Sequence, residues 1–406
     1  MARNFSRYVA AHPPQILQKI VLEFVHRFHL VKHRPQHRVS LSFCIMKNIA
    51  FKIVFAFLFV SSSLIVWAKP KPDRPKNIIF LIGDGMGLSQ IFAGLTMNGG
   101  WLFIEQFDKI GFSKTQSSDN YVTDSAAGAT AFSIGEKTFN GAIGVDSLGQ
   151  PKETILEMAE KKGLSTGLVT TCDITHATPA SFAAHVGSRK QADSIAIQMA
   201  NSGVDVMIGG GLDRFKNRKD GLNLVQVLEQ KGVKVMDSTQ NFRSVKSGKL
   251  AWFGGKEHLP SILNGRDTSY LKDASLKAIE LLSQNPKGFF LMIEGSQIDW
   301  GGHNNDAPYV GTEMIDFDRS IGAILAWAKK DGETLVVITA DHETGGMALN
   351  GGSFDQKNID AKFTTGGHTA VMVPVFAYGP GSKKFTGIYE NTDIFKSFKK
   401  LLIKKK

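Results

Sequence analysis

Cysteine is scarce in this chain: 406 residues hold two, Cys44 and Cys172. A disulfide framework is excluded, since only Cys172 lies outside the N-terminal segment argued below to be removed. Export is not thereby excluded, because a chain this long can bury a core that needs no staples. Long apolar runs are also missing. The stretch Ile53–Val66 falls short of the roughly 20 residues a membrane-spanning helix requires. Neither a dinucleotide fingerprint nor a phosphate loop ending in Lys-Ser/Thr is present; Gly209-Gly210-Gly211 after Val204–Ile208 has neither spacing and reads as a strand-to-loop turn. No tandem repeat and no low-complexity linker follows Pro75. The formal charge of +11 is concentrated at one end. Nine of the 48 Lys and Arg and one of the 37 Asp and Glu fall in residues 1–68, leaving 39 against 36, a net +3. The body therefore offers no composition for a polyanion-binding surface, and no nucleic acid is expected as a specific partner.

What is present begins at Met46. Lys47 and Lys52 precede the apolar Ile53–Val66, and Val66-Trp67-Ala68 supplies acceptable residues for a cleavage site. This is the pattern of a secretory signal peptide over 46–68 and implies a periplasmic or secreted protein. Residues 1–45, with five histidines and no periodicity, read as an extension from an upstream start codon. The proline-rich Lys69–Pro75 leads into a single domain, 69–406, and the closing Lys404–Lys406 reads as a solvated tail.

Within that domain one pattern recurs. Short apolar runs at Asn77–Ile82, Leu168–Thr171, Phe289–Ile293 and Thr334–Ile338 are consistent with strands buried on both faces. They alternate with helical patterns at Glu153–Lys162, Gln191–Asn201, Leu271–Gln284 and Glu313–Lys330. Such alternation predicts an α/β domain with a mainly parallel sheet. Each run ends in polar residues able to hold a metal, and in open α/β sheets that edge is where ligands bind. Asp84 stands in Gly83-Asp84-Gly85-Met86-Gly87, and Glu294 precedes Gly295. Asp299 and His303 bracket Trp300-Gly301-Gly302, Asp341 adjoins His342, and His368 follows Gly366-Gly367 before a strand expected at Val371–Phe376. Imidazoles and carboxylates together suit zinc.

Ser125 opens Ser125-Ala126-Ala127-Gly128, a helix start whose free N–H groups favour an anion. No histidine adjoins it in sequence, so as a nucleophile it would need another activator, and a metal ion could serve. Arg189, after a helix-like run starting near Pro179, offers a guanidinium suited to a phosphoryl group. His185 and His258 read as structural or surface residues.

Together these segments resemble the alkaline phosphatase family. The match is carried by Asn77–Gly87, Tyr121–Gly135, Thr175–Lys190, Glu294–His303, Thr339–Gly346 and Thr364–Pro374. The resemblance implies a three-layer sandwich, helices flanking a mainly parallel central sheet. It implies hydrolysis of small phosphate monoesters through a covalent phosphoserine on Ser125, two zinc ions and a third metal, usually magnesium. By resemblance, Asp299, His303 and His368 hold the first zinc, and Asp341, His342 and Asp84 the second, with Ser125. Asp84 also reaches the third metal, with Thr178 and Glu294. Arg189 binds phosphate and Asp124 orients it. His176 and Trp300 stand where the best-known bacterial pattern has Asp and Lys, so cobalt or zinc could replace magnesium there. Family members are commonly homodimers. A phosphodiesterase or phosphonate hydrolase on the same metal core is the alternative.

Overall fold

In chain order the main strands are β1 (Asn77–Gly83), β2 (Lys109–Lys114), β3 (Ser165–Asp173), β4 (Val206–Gly210), β5 (Val233–Asp237), β6 (Lys249–Phe253), β7 (Phe289–Gly295) and β8 (Thr334–Thr339). After them come β9 (Glu343–Thr344), β10 (Met347–Ser353), β11 (Asn358–Phe363), β12 (His368–Thr369), β13 (Val373–Tyr378) and β14 (Gly387–Glu390). The computed structural model describes residues 72–402. The expected extension 1–45, the signal 46–68, the start of the leader and the closing lysines lie outside the described residues.

Ten strands form one sheet in the order β14-β2-β13-β8-β1-β7-β3-β4-β6-β5. Every pairing in it is parallel except those of β13 with β2 and β8. The expectation of a mainly parallel sheet holds, and the reason is visible in β1, buried at all seven positions. Ile79 and Leu81 pack into one core with Met314, Phe317 and Ile321 of the helix Ala307–Asp331. Ile78, Phe80 and Ile82 pack into a second core with Phe132, Ile155 and Phe398. Alternate residues thus feed opposite faces, and helices cover both, giving three layers. Among the described residues no helix is long and apolar enough to cross a membrane.

Register sets the functional edge. Gly83 pairs with Gly295 and Ile82 with Thr339, so β1, β7 and β8 stop level with one another. Asp84, Glu294 and Asp341 therefore emerge side by side. After β8 the chain makes the hairpin β10–β11 and returns as β12, whose His368 pairs with Thr344 of β9.

Three expectations shift. The long helix runs from Ala307 rather than Glu313, because Asp306 caps it by accepting the Tyr309 N–H and Pro308 suits the first turn. The strand after His368 starts at Val373, leaving Val371 and Met372 exposed. The run from Pro179 to Ser188 is not a helix beyond Ala177–Ala180. Ile143 and Val186 exchange backbone hydrogen bonds of 2.9 Å, and His185 is held by the Gly144 carbonyl and Glu157. Those bonds pull the segment extended, so Arg189 sits on a loop, its own N–H donating to the Gly141 carbonyl at 2.7 Å.

Candidate active site

The helix Ser125–Ile134 begins where the carboxyl edge of β1 and β8 ends. Its Asp124 cap accepts the Ala127 N–H at 3.0 Å, which leaves Ser125 as its first residue, 2% exposed. Small side chains are required here. A Cβ on Gly128 would come within 3.0 Å of the Asp341 Cβ, so the helix approaches that closely only with glycine. Gly85 likewise holds φ +73, and a Cβ there would meet the Asp299 Cα at 2.7 Å. Its N–H donates to Asp341 Oδ1 at 3.2 Å.

Among the described residues, three groups of metal-ligating side chains have atoms within 4.8 Å of one another: Asp84, Asp341 and His342; Asp299, His303 and His368; and Cys172, His176 and Glu294. In the first, His342 Nε2 lies 3.5 Å from Asp84 Oδ1, 3.3 Å from Asp341 Oδ2 and 3.3 Å from Ser125 Oγ. Ser125 has no histidine beside it in sequence; the fold supplies one from the end of β8. In the second, the Nε2 atoms of His303 and His368 are 3.1 Å apart, and both face Asp299. Their Nδ1 atoms are 2.7 Å from the Gly366 carbonyl and 2.9 Å from the Thr123 carbonyl. A carbonyl only accepts, so each Nδ1 donates there, which leaves each Nε2 as the ring atom turned to the common point.

The electrostatics around Asp84, Asp341 and Glu294 favour a positive charge. Burial, then the carboxylates of Asp341, Asp299 and Glu294, push Asp84 well above the usual carboxylate range. Burial and Asp299 push Asp341 up to about 7, and burial raises Glu294. Burial also tends to raise Asp299, but its hydrogen bond from His303 and the neighbouring histidines outweigh that and hold it low. The same bond lifts His303 to about 9. Burial keeps His342 and His176 neutral, His176 down to about 3. Both oxygens of Asp84, Oδ2 of Asp341, Oε1 of Glu294, Oγ1 of Thr178 and Nδ1 of His176 are buried with no hydrogen-bond partner. Buried polar atoms are rarely left so, and this many aimed into one region fits divalent cations, which satisfy lone pairs and compensate carboxylate charge at once.

Arg189 Nη1 is 3.1 Å from Asp124 Oδ2, and its Nη2 is 3.2 Å from His176 Nε2. Asp124 therefore both caps the serine's helix and carries the guanidinium. Trp300 lies in the helix Gln297–His303, its ring 6.2 Å from that of His176. His258, read from sequence as structural or surface, is exposed but sits at this mouth. Its ring is 4.8 Å from Trp300 and 5.7 Å from His176, and its Nδ1 accepts the Asp173 N–H at 3.1 Å. No sequence signal marks it, because Gly255-Lys256-Glu257 beside it looks like any surface loop. His185 is structural, as expected.

The model of the alkaline phosphatase family matches residues 75–359 and 351–403. Alkaline phosphatase 3 of Bacillus subtilis is 36% identical over 89% of this chain and 96% of its own length. The alkaline phosphatase of Escherichia coli is 32% identical over 81% of this chain and 87% of its own. Among solved structures, the alkaline phosphatase of the Antarctic bacterium TAB5 superposes with a TM-score of 0.77 at 45% identity, covering 81% of this chain and 98% of that one. Two variants of the TAB5 enzyme, with one histidine changed to glutamate or to aspartate, have been solved with magnesium bound in the M3 site.

Proposed function

The chain belongs to the alkaline phosphatase family and is a metal-binding phosphomonoesterase, and from that premise we propose that it acts through a covalent phosphoserine on Ser125. The observation that carries this reading is Ser125 Oγ, 3.3 Å from His342 Nε2 among the unpartnered oxygens of Asp84 and Asp341. On this reading Asp84, Asp341 and His342 would hold one zinc beside Ser125, and Asp299, His303 and His368 the other. Glu294 and Thr178, with Asp84 shared and His176 nearby, would hold the third ion. When bound, the cations supply the positive charge that lowers the serine's proton affinity and receives charge from the leaving oxygen.

The chain's own groups do the rest. Arg189, carried by Asp124, holds two phosphate oxygens with its planar fork, while the N-terminus of the Ser125 helix adds free N–H groups. The Ser125 Oγ–H bond breaks, an Oγ–P bond forms, and the ester P–O bond opposite it breaks as the alcohol leaves with a proton. Water then attacks the same phosphorus from the vacated side: an O–H bond of the water breaks as its O–P bond forms, the Oγ–P bond breaks, and Ser125 Oγ takes up a proton. Two in-line displacements retain the phosphorus configuration. Recognition that rests mainly on the phosphate group itself favours a broad range of monoesters.

A further set of readings rests on sequence and family. Residues 69–406 form one catalytic domain. The protein is exported, and it works as a homodimer. The test is mass-spectrometric trapping of phosphate at low pH in zinc- and magnesium-loaded protein. Wild type should carry it on the peptide containing Ser125 and Ser125→Ala should not; full activity in Ser125→Ala would overturn the mechanism. Faster turnover of a diester than of its monoester would favour the phosphodiesterase alternative.

A further inference from the structure

The third cluster contains a residue the expected ligand set does not use. Cys172 is fully buried at the carboxyl end of β3. Its Sγ lies 3.5 Å from Glu294 Oε2, and Cys172, His176 and Glu294 each bring a ligand atom within 4.8 Å of the others. A lone thiol would mean little. The Cys172 Sγ also lies 3.1 Å from Thr170 Oγ1 and 3.3 Å from the Asp173 carbonyl, but three buried atoms of neighbouring residues have no partner: Glu294 Oε1, Thr178 Oγ1 and His176 Nδ1. Glu294 is locked in place, its Oε2 accepting from Thr170 Oγ1 and from Ser296 Oγ, the latter at 2.7 Å.

We propose that Cys172 is a ligand of the third metal, and that this makes the third site a zinc- or cobalt-selective site rather than a magnesium site. The argument is donor chemistry. Magnesium is small and hard, seeks six oxygens and keeps its waters. A set of sulfur, imidazole nitrogen and carboxylate oxygen is what zinc and cobalt take. On binding, the S–H bond breaks, its proton passes to solvent, and the sulfur lone pair is given to the metal. The inference rests on the proposed three-ion reading and adds a ligand that the family resemblance does not supply.

The test follows metal rather than turnover, so it can fail while the phosphoserine mechanism stands. Chelator-stripped protein is titrated with cobalt and its near-ultraviolet spectrum recorded. Wild type should gain a thiolate-to-cobalt charge-transfer band with one equivalent only, and zinc should displace magnesium from that equivalent. Cys172→Ser, close in size, should take up the other two ions unchanged and lack the band. Its zinc preference over magnesium at the remaining site should fall about 10- to 100-fold. A fully cobalt-loaded wild type without the band, or Cys172→Ser with unaltered metal preference, overturns the proposal. The wild-type spectrum alone decides the ligand question if the variant folds poorly.

Discussion

Replacing Asp124 separates two tasks that one carboxylate performs. Its Oδ1 accepts the N–H groups of Ala127 and Gly141, both at 3.0 Å, and its Oδ2 holds Arg189 at 3.1 Å. An asparagine in its place would keep an oxygen for both N–H groups, whereas an alanine would keep none. Loss of an N-cap costs about 1 kcal/mol, and the stranded Gly141 N–H adds about 1 more. Asp124→Ala should therefore lower the melting temperature by roughly 3 °C, while Asp124→Asn should stay close to wild type. The ion pair is 26% and 21% exposed, so its worth is discounted to about 0.2–1 kcal/mol. With the guanidinium no longer held for phosphate, the inhibition constant of inorganic phosphate should rise about 2- to 5-fold in both variants. Calorimetry and competitive inhibition measure the two effects independently. Equal destabilisation by the asparagine and alanine substitutions would refute the cap argument, and an unchanged phosphate constant in both would refute the positioning of Arg189.

Gly85→Ala places a Cβ within 2.7 Å of both the Asp299 backbone and Thr344 Oγ1 at φ +73; with about 1–2 kcal/mol of backbone strain, it should release the ion at Asp299, seen as reduced zinc per chain. Chelation should lower the melting temperature, and restoring each ion to about a hundred times its dissociation constant should return about 2.7 kcal/mol; a thermal transition indifferent to chelator would count against the metal reading. His185 is raised above its ordinary value chiefly by its hydrogen bond to Glu157. Its contribution is then full below the unfolded value of about 6.5 and lost as pH rises through the higher folded value. His185→Asn should accordingly cost most stability near pH 6 and least near pH 9 in urea titrations.

The sheet was legible because its strands are buried on both faces, so Asn77–Ile82 and Phe289–Ile293 stand out as unbroken apolar runs. The parallel order followed from the intervening helices. The gathering of Asp84, Glu294 and Asp341 at one edge was legible too, because each is the polar end of such a run. Less visible was anything set by pairing across long sequence separations. The return of His368 beside His342 depends on the β9–β12 bridge, two residues long on each side. Likewise the extended path before Arg189 depends on the pairing of Ile143 with Val186, which are far apart in the chain. His258 reaches the site from a loop whose local sequence carries no period. Nor could the alanine-rich run after Pro179 be distinguished from a helix, since alanine favours one wherever tertiary bonds do not intervene.

A domain whose described residues hold one cysteine, and so no disulfide between them, still has to hold several distant segments in one place, and on the proposed reading the same atoms that do the chemistry also do this. Asp84 comes from the end of β1, Glu294 and Asp299 from β7 and the helix after it, Asp341 and His342 from the end of β8, and His368 from the return after the hairpin. Protein groups alone leave this edge under tension, with carboxylates raised by burial and mutual repulsion and buried oxygens unpartnered. That tension is what makes cation binding favourable, and cation binding in turn ties the strand ends together. Catalysis and stability should therefore fail together on chelation. They should fail separately on substitution at Ser125: with its side chain removed, the ligands and their ions remain and only the nucleophile is gone. A Ser125→Ala protein that keeps its metals and its melting temperature while losing at least ~10³-fold in turnover is the outcome this arrangement requires. Loss of the ions along with activity would instead place Ser125 among the groups that hold the site together.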